Sequence, residues 1–306
     1  MILRKRPAFA LAAVLWVMTI ATVLATGTAL VGRSTYSGAR NRTNAARAHW
    51  IAEGCSAVVI AIIDRSLAAA SDDDRPIVWR ELDVRVDSAL RAAPIECSVS
   101  LAAVGSKLDA NSADTTMLRR YLMRAAGPQQ GDALTDALLD WRDNDSTARS
   151  LGAEADWYLA NGRPSPRNRQ FASSDEILLV RGFEARPDLV EDLIVVPARV
   201  CLTTAPASVL IALPGFTDDA VRQLMDDRAA RRYFSDLPTF VAQLPQAAAE
   251  SLGVHYSELS VATTVEPPQW QVTVRAISGY PAVIASSVVW LGQFGSHSIV
   301  TQRENQ

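Results

Sequence analysis

From Ala8 to Gly32 the chain is apolar or weakly polar and carries no charge, and Arg4, Lys5 and Arg6 stand immediately before it. As a helix rising 1.5 Å per residue, this stretch exceeds the roughly 30 Å hydrocarbon core of a bilayer. A cleaved secretory signal has an apolar region of only about 7–15 residues, so the pattern predicts a retained membrane span over 9–32. A cut in the Ala21–Ala25 region is the other reading. Arg33, Arg40, Arg42 and Arg47 beyond the span compete with the N-terminal cluster, and charge alone does not set orientation. The long polar remainder favours export. From Thr35 to Leu67 there is no proline, and Ala46, Trp50, Ile51, Ala57, Val58, Ala61 and Ile62 recur at helical spacing. One long helix therefore continues out of the membrane.

The pattern then changes period. Pro94 to Gly105 is β-branched and bounded by turn residues, which predicts a strand or hairpin. A second β-rich stretch runs from Trp270 to Val300, with Gly279-Tyr280-Pro281 as a turn inside it. The block between them, 111–252, is mostly helical and too long to be a loop. The expected fold is α+β: a long N-terminal helix on a small antiparallel sheet, with a large, mainly helical domain inserted. The first unit covers 33–110 and the closing strands 253–306.

Composition narrows the function. The 306 residues are 49% hydrophobic, enough to bury a core, and 30 Lys+Arg against 33 Asp+Glu give a formal net charge of -3. That balance supplies no general attraction to nucleic acid. No G-x-S-x-G, Walker loop or H-E-x-x-H occurs, so the common enzyme signatures are missing. Three cysteines are too few for a disulfide scaffold. Cys97 and Cys201 stand at strand positions and could bridge in an oxidising compartment, leaving Cys55 in the long helix. Free buried thiols are the default reading, and nothing in the sequence decides the pairing.

The acidic chemistry concentrates in one place. Asp132, Asp136 and Asp140 share a helical face, where like charges are mildly destabilising, while Leu134, Leu138 and Trp141 share another. Asp140, Asp143, Asp145 and Glu154 then gather four carboxylates around a loop, a set of hard oxygen donors suited to Ca²⁺. Their spacing is not that of an EF-hand. The competing reading is that they cap helices and pair with Arg142, Arg149 or Arg181. Ser173-Ser174-Asp175-Glu176 has the form of a capping box, with Gly182 as a stop, and Thr204 is an N-cap candidate ahead of Pro206.

Several of these phrases resemble one family. A basic leader before Phe9-Ala10-Leu11, opening a helix half in and half out of the membrane, resembles type IV pilins and pseudopilins. The resemblance implies a leader over 1–8, cut between Ala8 and Phe9 by a prepilin peptidase, although the family usually has Gly where Ala8 stands. Pilins carry Glu at the fifth mature position, here Ala13, and this chain has no acidic residue before Glu53. Its absence marks the K-type minor pseudopilin of the type II secretion system. Asp140-Trp141-Arg142-Asp143-Asn144-Asp145, Gly152-Ala153-Glu154, Tyr158, Asn168 and Ser174-Asp175-Glu176 closely resemble that family's series. Cys201-Leu202-Thr203-Thr204-Ala205 resembles its Asn-x-Asn-Thr-Ala, with Cys201 and Thr203 replacing the asparagines.

The resemblance implies a non-enzymatic, single-pass inner-membrane protein with a periplasmic domain, capping the pseudopilus tip with the I and J minor pseudopilins. It also implies contact with the inner-membrane secretion platform and exoprotein substrates, and bound Ca²⁺.

A rival stands at 205–244. Two short helices joined by Leu213-Pro214-Gly215-Phe216 resemble the helix-hairpin-helix of competence-type DNA-binding proteins. Thr217-Asp218-Asp219 follows the turn and opposes phosphate, so the expectation is a protein-contact module and no nucleic acid.

Overall fold

The computed structural model describes residues 7–305, and the side chains of residues 13–304. The leader residues 1–6 lie outside it, as do the side chains of Ala8 and Phe9. In chain order the helices are α1 (Pro7–Ala69), α2 (Arg75–Arg80), α3 (Leu82–Ala92), α4 (Thr115–Ala126), α5 (Pro128–Arg142) and α6 (Ala155–Ala160). They continue with α7 (Ala207–Leu210), α8 (Asp218–Ala229), α9 (Leu237–Ala242), α10 (Gln246–Val254) and α11 (Tyr256–Ala262). The strands are β1 (Cys97–Ala103), β2 (Leu108–Asp109), β3 (Leu193–Ile194), β4 (Val200–Cys201), β5 (Thr263–Thr264), β6 (Gln269–Ser278), β7 (Val283–Phe294) and β8 (His297–Asn305).

At 63 residues, α1 is roughly 95 Å long at 1.5 Å per residue. Only its C-terminal part is covered. Ala48, Ala52, Cys55, Val59, Ile63 and Leu67 are buried along one stripe, whereas Trp50 is 72% exposed and Val58 is also exposed. The helical period is therefore as expected but the buried face is not the one that Trp50 and Val58 mark. Small residues at 48 and 52 let the helix approach the sheet, and the bulky indole faces away.

The sheet runs β1-β6-β7-β8, each pair antiparallel. Strict alternation turns Trp270, Val272, Val274 and Ala276 of β6 inward, and Ala285, Ser287, Val289 and Leu291 of β7 join them. These side chains meet Val59, Ile63 and Leu67 in one core, closed by Trp79, Leu82 and Val86 of α2 and α3. Each fully buried aliphatic contributes about 1.5–3 kcal/mol relative to exposure. Polar ties fix the register: Glu53 accepts from Arg303 at 2.6 Å, and Asp64 accepts from the Ser298 amide at 2.7 Å.

Strands β1 and β6 pair directly, Val99 opposite Val274, although residues 104–268 separate them. That intervening chain builds its own core, from Leu108 to Leu259. Two short parallel pairs close it, β2 with β3 and β4 with β5. At the neck Gly105 has φ +92°, and its carbonyl accepts the Cys201 amide at 2.8 Å. A Cβ there would strike the Arg199 carbonyl, so only glycine fits. Glu81, between α2 and α3, ties the two bodies by accepting from Tyr233 and pairing with Arg231, while the Trp79 and Trp270 indoles donate at 2.8 Å to the Pro267 and Trp79 carbonyls within the sheet-side core and its connecting strand.

The disulfide joins Cys55 to Cys97, across 42 residues with Cα atoms 6.6 Å apart, and corrects the pairing of Cys97 with Cys201. Cys97 opens β1 and lies beside α1. Cys201 is fully buried in β4 of the other body, its Sγ 3.4 Å from the Val265 carbonyl. Peptide mapping without reductant is expected to recover Cys55 joined to Cys97, with Cys201 alkylated only after unfolding. Cys55→Ala should lower stability by about 2–4 kcal/mol in denaturant titration, from the loop that the bridge closes.

Candidate functional site

Helix α5 carries apolar and acidic faces that are both buried. Leu134, Leu138 and Trp141 enter the core, and Asp136 and Asp140 are also buried, Asp140 completely. The acidic face is neutralised by arginine. Arg119 reaches Asp132 at 2.8 Å and Asp136 at 3.3 Å, and Asp136 also accepts the Leu151 amide. Asp140 accepts the Arg149 backbone amide at 3.1 Å and its guanidinium at 2.6 Å. Burial still raises the Asp140 carboxyl above its usual range, opposed by these Arg149 contacts.

The loop after α5 folds back over that carboxylate. Arg142 closes its base by donating to the Ala110 and Ala113 carbonyls. Gly152 lies so close to Asp140 that a Cβ would overlap the carboxylate. Arg181 donates to the Gly152 carbonyl at 3.0 Å and covers the Trp157 ring at 4.8 Å. Tyr158 accepts the Arg181 amide at 2.9 Å and meets Trp141 edge-on. The Trp141 indole donates to Glu176 at 3.1 Å. Ser174–Leu179 is a 3-10 helix without a side-chain cap from Ser173; Glu176 instead accepts the Ala172 amide. Asn168, at φ 46°, donates to the Asp145 carbonyl. The acidic and aromatic motif is therefore one continuous wall.

Within that wall the structure brings together Asp143, Asp145 and Glu154, whose oxygens lie within 4.8 Å of one another. Asp140, the fourth residue of the expected set, is not among them. Its oxygens face Arg149, because α5 ends between Asp140 and Asp143 and the chain turns outward. Asp145 is exposed and accepts the Thr147 amide at 2.7 Å. Glu154 is 7% exposed, and neither of its carboxylate oxygens has a hydrogen-bond partner; Asp143 Oδ1 also has none. Unpartnered buried carboxylate oxygens are costly. Burial pushes the Glu154 carboxyl up to about 7, and Asp140, Asp143 and Asp145 reinforce the shift. Three convergent oxygen donors, with orphaned atoms between them, fit a hard divalent cation.

The hairpin at 205–244 offers no comparable site. Arg228 turns inward to the Leu202 and Ala205 carbonyls, Arg231 pairs with Glu81, and Arg232 pairs with Asp227. Arg120 occupies the turn carbonyls of Leu213 and Phe216. Thr217 caps α8, whose first turn holds Asp218 and Asp219. The basic groups are already engaged and a phosphate would meet carboxylates. Thr204 is not an N-cap: Pro206 takes that position and the Thr204 hydroxyl is unpaired. Thr203 donates to the Val265 carbonyl at 2.6 Å, so Cys201 and Thr203 both meet that one carbonyl.

The unfolded chain releases the Glu154 proton near 4.5, and the folded chain holds it until about 7. With chelator present, stability should therefore fall as pH rises through that window, and Glu154→Gln should flatten the fall in denaturant titrations at stepped pH. Gly152→Ala should lower stability by about 1–3 kcal/mol by displacing Asp140, measured the same way.

Comparison with known proteins agrees with this arrangement. Residues 99–193 match the family model described as type II secretion system (T2SS), protein K, first domain. A solved chain of the GspK-GspI-GspJ complex from the enterotoxigenic Escherichia coli type 2 secretion system superposes with a TM-score of 0.56 at 13% identity. The match covers 88% of this chain and 99% of that one. No curated protein sequence matches. The matched domain runs from β1 to β3 and holds the whole acidic wall, and that part of the chain is similar to protein K of the type II secretion system.

Proposed function

We propose that this protein caps the tip of a type II secretion pseudopilus and so supports export of folded proteins. The observation that carries the reading is the division of α1. Its C-terminal part is covered by the sheet, while Val14, Trp16, Val23 and Leu30 are exposed on a bare apolar rod. One such N-terminal helix fits a single-pass anchor. A rod of this kind associates with other apolar helices by packing, in lipid or in a filament. It offers no carboxylate at Ala13, nor anywhere before Glu53, so it cannot pair with the amine of a neighbouring subunit. The inserted body at 104–268 adds bulk beside the pilin-like unit and obstructs addition of a further subunit.

The solved relative assembles with GspI and GspJ, and partners of those types are the ones this chain would take. A prepilin peptidase would cut between Ala8 and Phe9, and the secretion platform would receive the anchor in the inner membrane, with both bodies in the periplasm and open to exoprotein substrates. The work is packing and positioning. Calcium, held by Asp143, Asp145 and Glu154, would tie the end of α5 to the start of α6 and satisfy the orphaned oxygens.

Gold labelling of sheared pseudopili is expected to place the chain once, at one end; regular labels down the shaft would reject capping. Full-length protein in detergent should melt about 3 °C higher in millimolar calcium than in EGTA, for a site filled roughly tenfold above its dissociation constant. An unchanged melting temperature would reject the metal.

A further inference from the structure

Calcium binding at Asp143, Asp145 and Glu154 is the reading on which the following rests. We propose that Arg149 is a resident cation of that site, holding Asp143 when the metal is absent and thereby weakening the hold on calcium. One guanidinium nitrogen of Arg149 lies 2.6 Å from Asp140 Oδ1 and 2.5 Å from Asp143 Oδ2. It therefore bridges a carboxylate outside the ligand set to one inside it. The Arg149 amide also donates to Asp140, so the loop stays tied to α5 whichever way the side chain moves. That side chain is 38% exposed, which leaves it room to withdraw.

The remaining oxygens show what is held open. Asp143 Oδ1 and both Glu154 oxygens are buried and unpartnered, and Arg149 does not bond them. The set carries three carboxylates and Arg149 reaches only Asp143 among them, leaving an excess of negative charge for a second cation. A divalent ion entering there meets the like charge of Arg149 at short range and must share Asp143 with it. Both effects lower affinity, toward the weak range of about 10⁻⁴–10⁻³ M typical of extracellular calcium modules. Arg149 thus lets the loop keep its shape without metal and still respond to it.

The test is calcium titration calorimetry on the full-length protein in detergent, with melting in EGTA measured alongside. Arg149→Gln should bind calcium at least about tenfold more tightly and melt at a lower temperature in EGTA, while Arg149→Lys, keeping the charge, should stay within about threefold of the parent affinity. A purely structural arginine would lose stability without gaining affinity. Equal or weaker binding by Arg149→Gln, with calcium bound by the parent, would overturn the inference and leave the metal site standing. Binding by neither protein would sink both readings, and binding by the variant alone would support competition. If Arg149→Gln unfolds in EGTA, the midpoint of its calcium-driven refolding by circular dichroism supplies the same comparison.

Discussion

The seam between the C-terminal half of α1 and the inner face of the four-stranded sheet is the contact on which the other features depend. Ala48, Ala52, Cys55, Val59, Ile63 and Leu67 form a continuous stripe over β6 and β7. The seam covers only part of a helix of 63 residues, so the rest stays bare and must find a membrane or other helices. It also fixes where β1 can lie, since Cys97 at the start of that strand is bonded to Cys55 within the stripe. The polar ties of Glu53 and Asp64 to β8 stop the outer strand from sliding.

Pairing of β1 with β6 then turns the intervening chain into a separate body. An insertion between two adjacent strands leaves the parent sheet intact, because the ladder from Cys97 to Ala103 is complete without it. Its ends emerge side by side, and short parallel pairs with a glycine at the neck suffice to close it. Glu81 bonds Tyr233 and Arg231 across the junction, so the second body is held to the first by more than its two connecting strands.

Inside that body, arginine permits acid to be buried. Arg119, Arg142, Arg149 and Arg181 each bond a carboxylate or the carbonyls of a turn. The planar guanidinium can serve two acceptors at once, which a lysine ammonium does less well. Where no arginine reaches, at Glu154 and one oxygen of Asp143, the carboxylates remain unanswered. The contrast between satisfied and orphaned oxygens within a few residues separates architecture from a candidate ligand site. A count of acidic residues along the chain does not.

The long anchor, the two-period pattern and the inserted helical block were legible in the sequence, because each rests on local periodicity that survives in isolation. The strand at 97–103, the turn at Gly279-Tyr280-Pro281 and the acidic motif at 140–154 belong to that group. The stripe of α1 that meets the sheet was not legible, since Trp50 and Ala48 carry the same period and only a surface across from them chooses between faces. The partner of Cys97 depends on which strand lies beside α1. The exclusion of Asp140 depends on Arg149 and on a loop that closes through Gly152. Those choices belong to tertiary structure, where residues far apart in the chain compete for one neighbour and the more complete burial prevails.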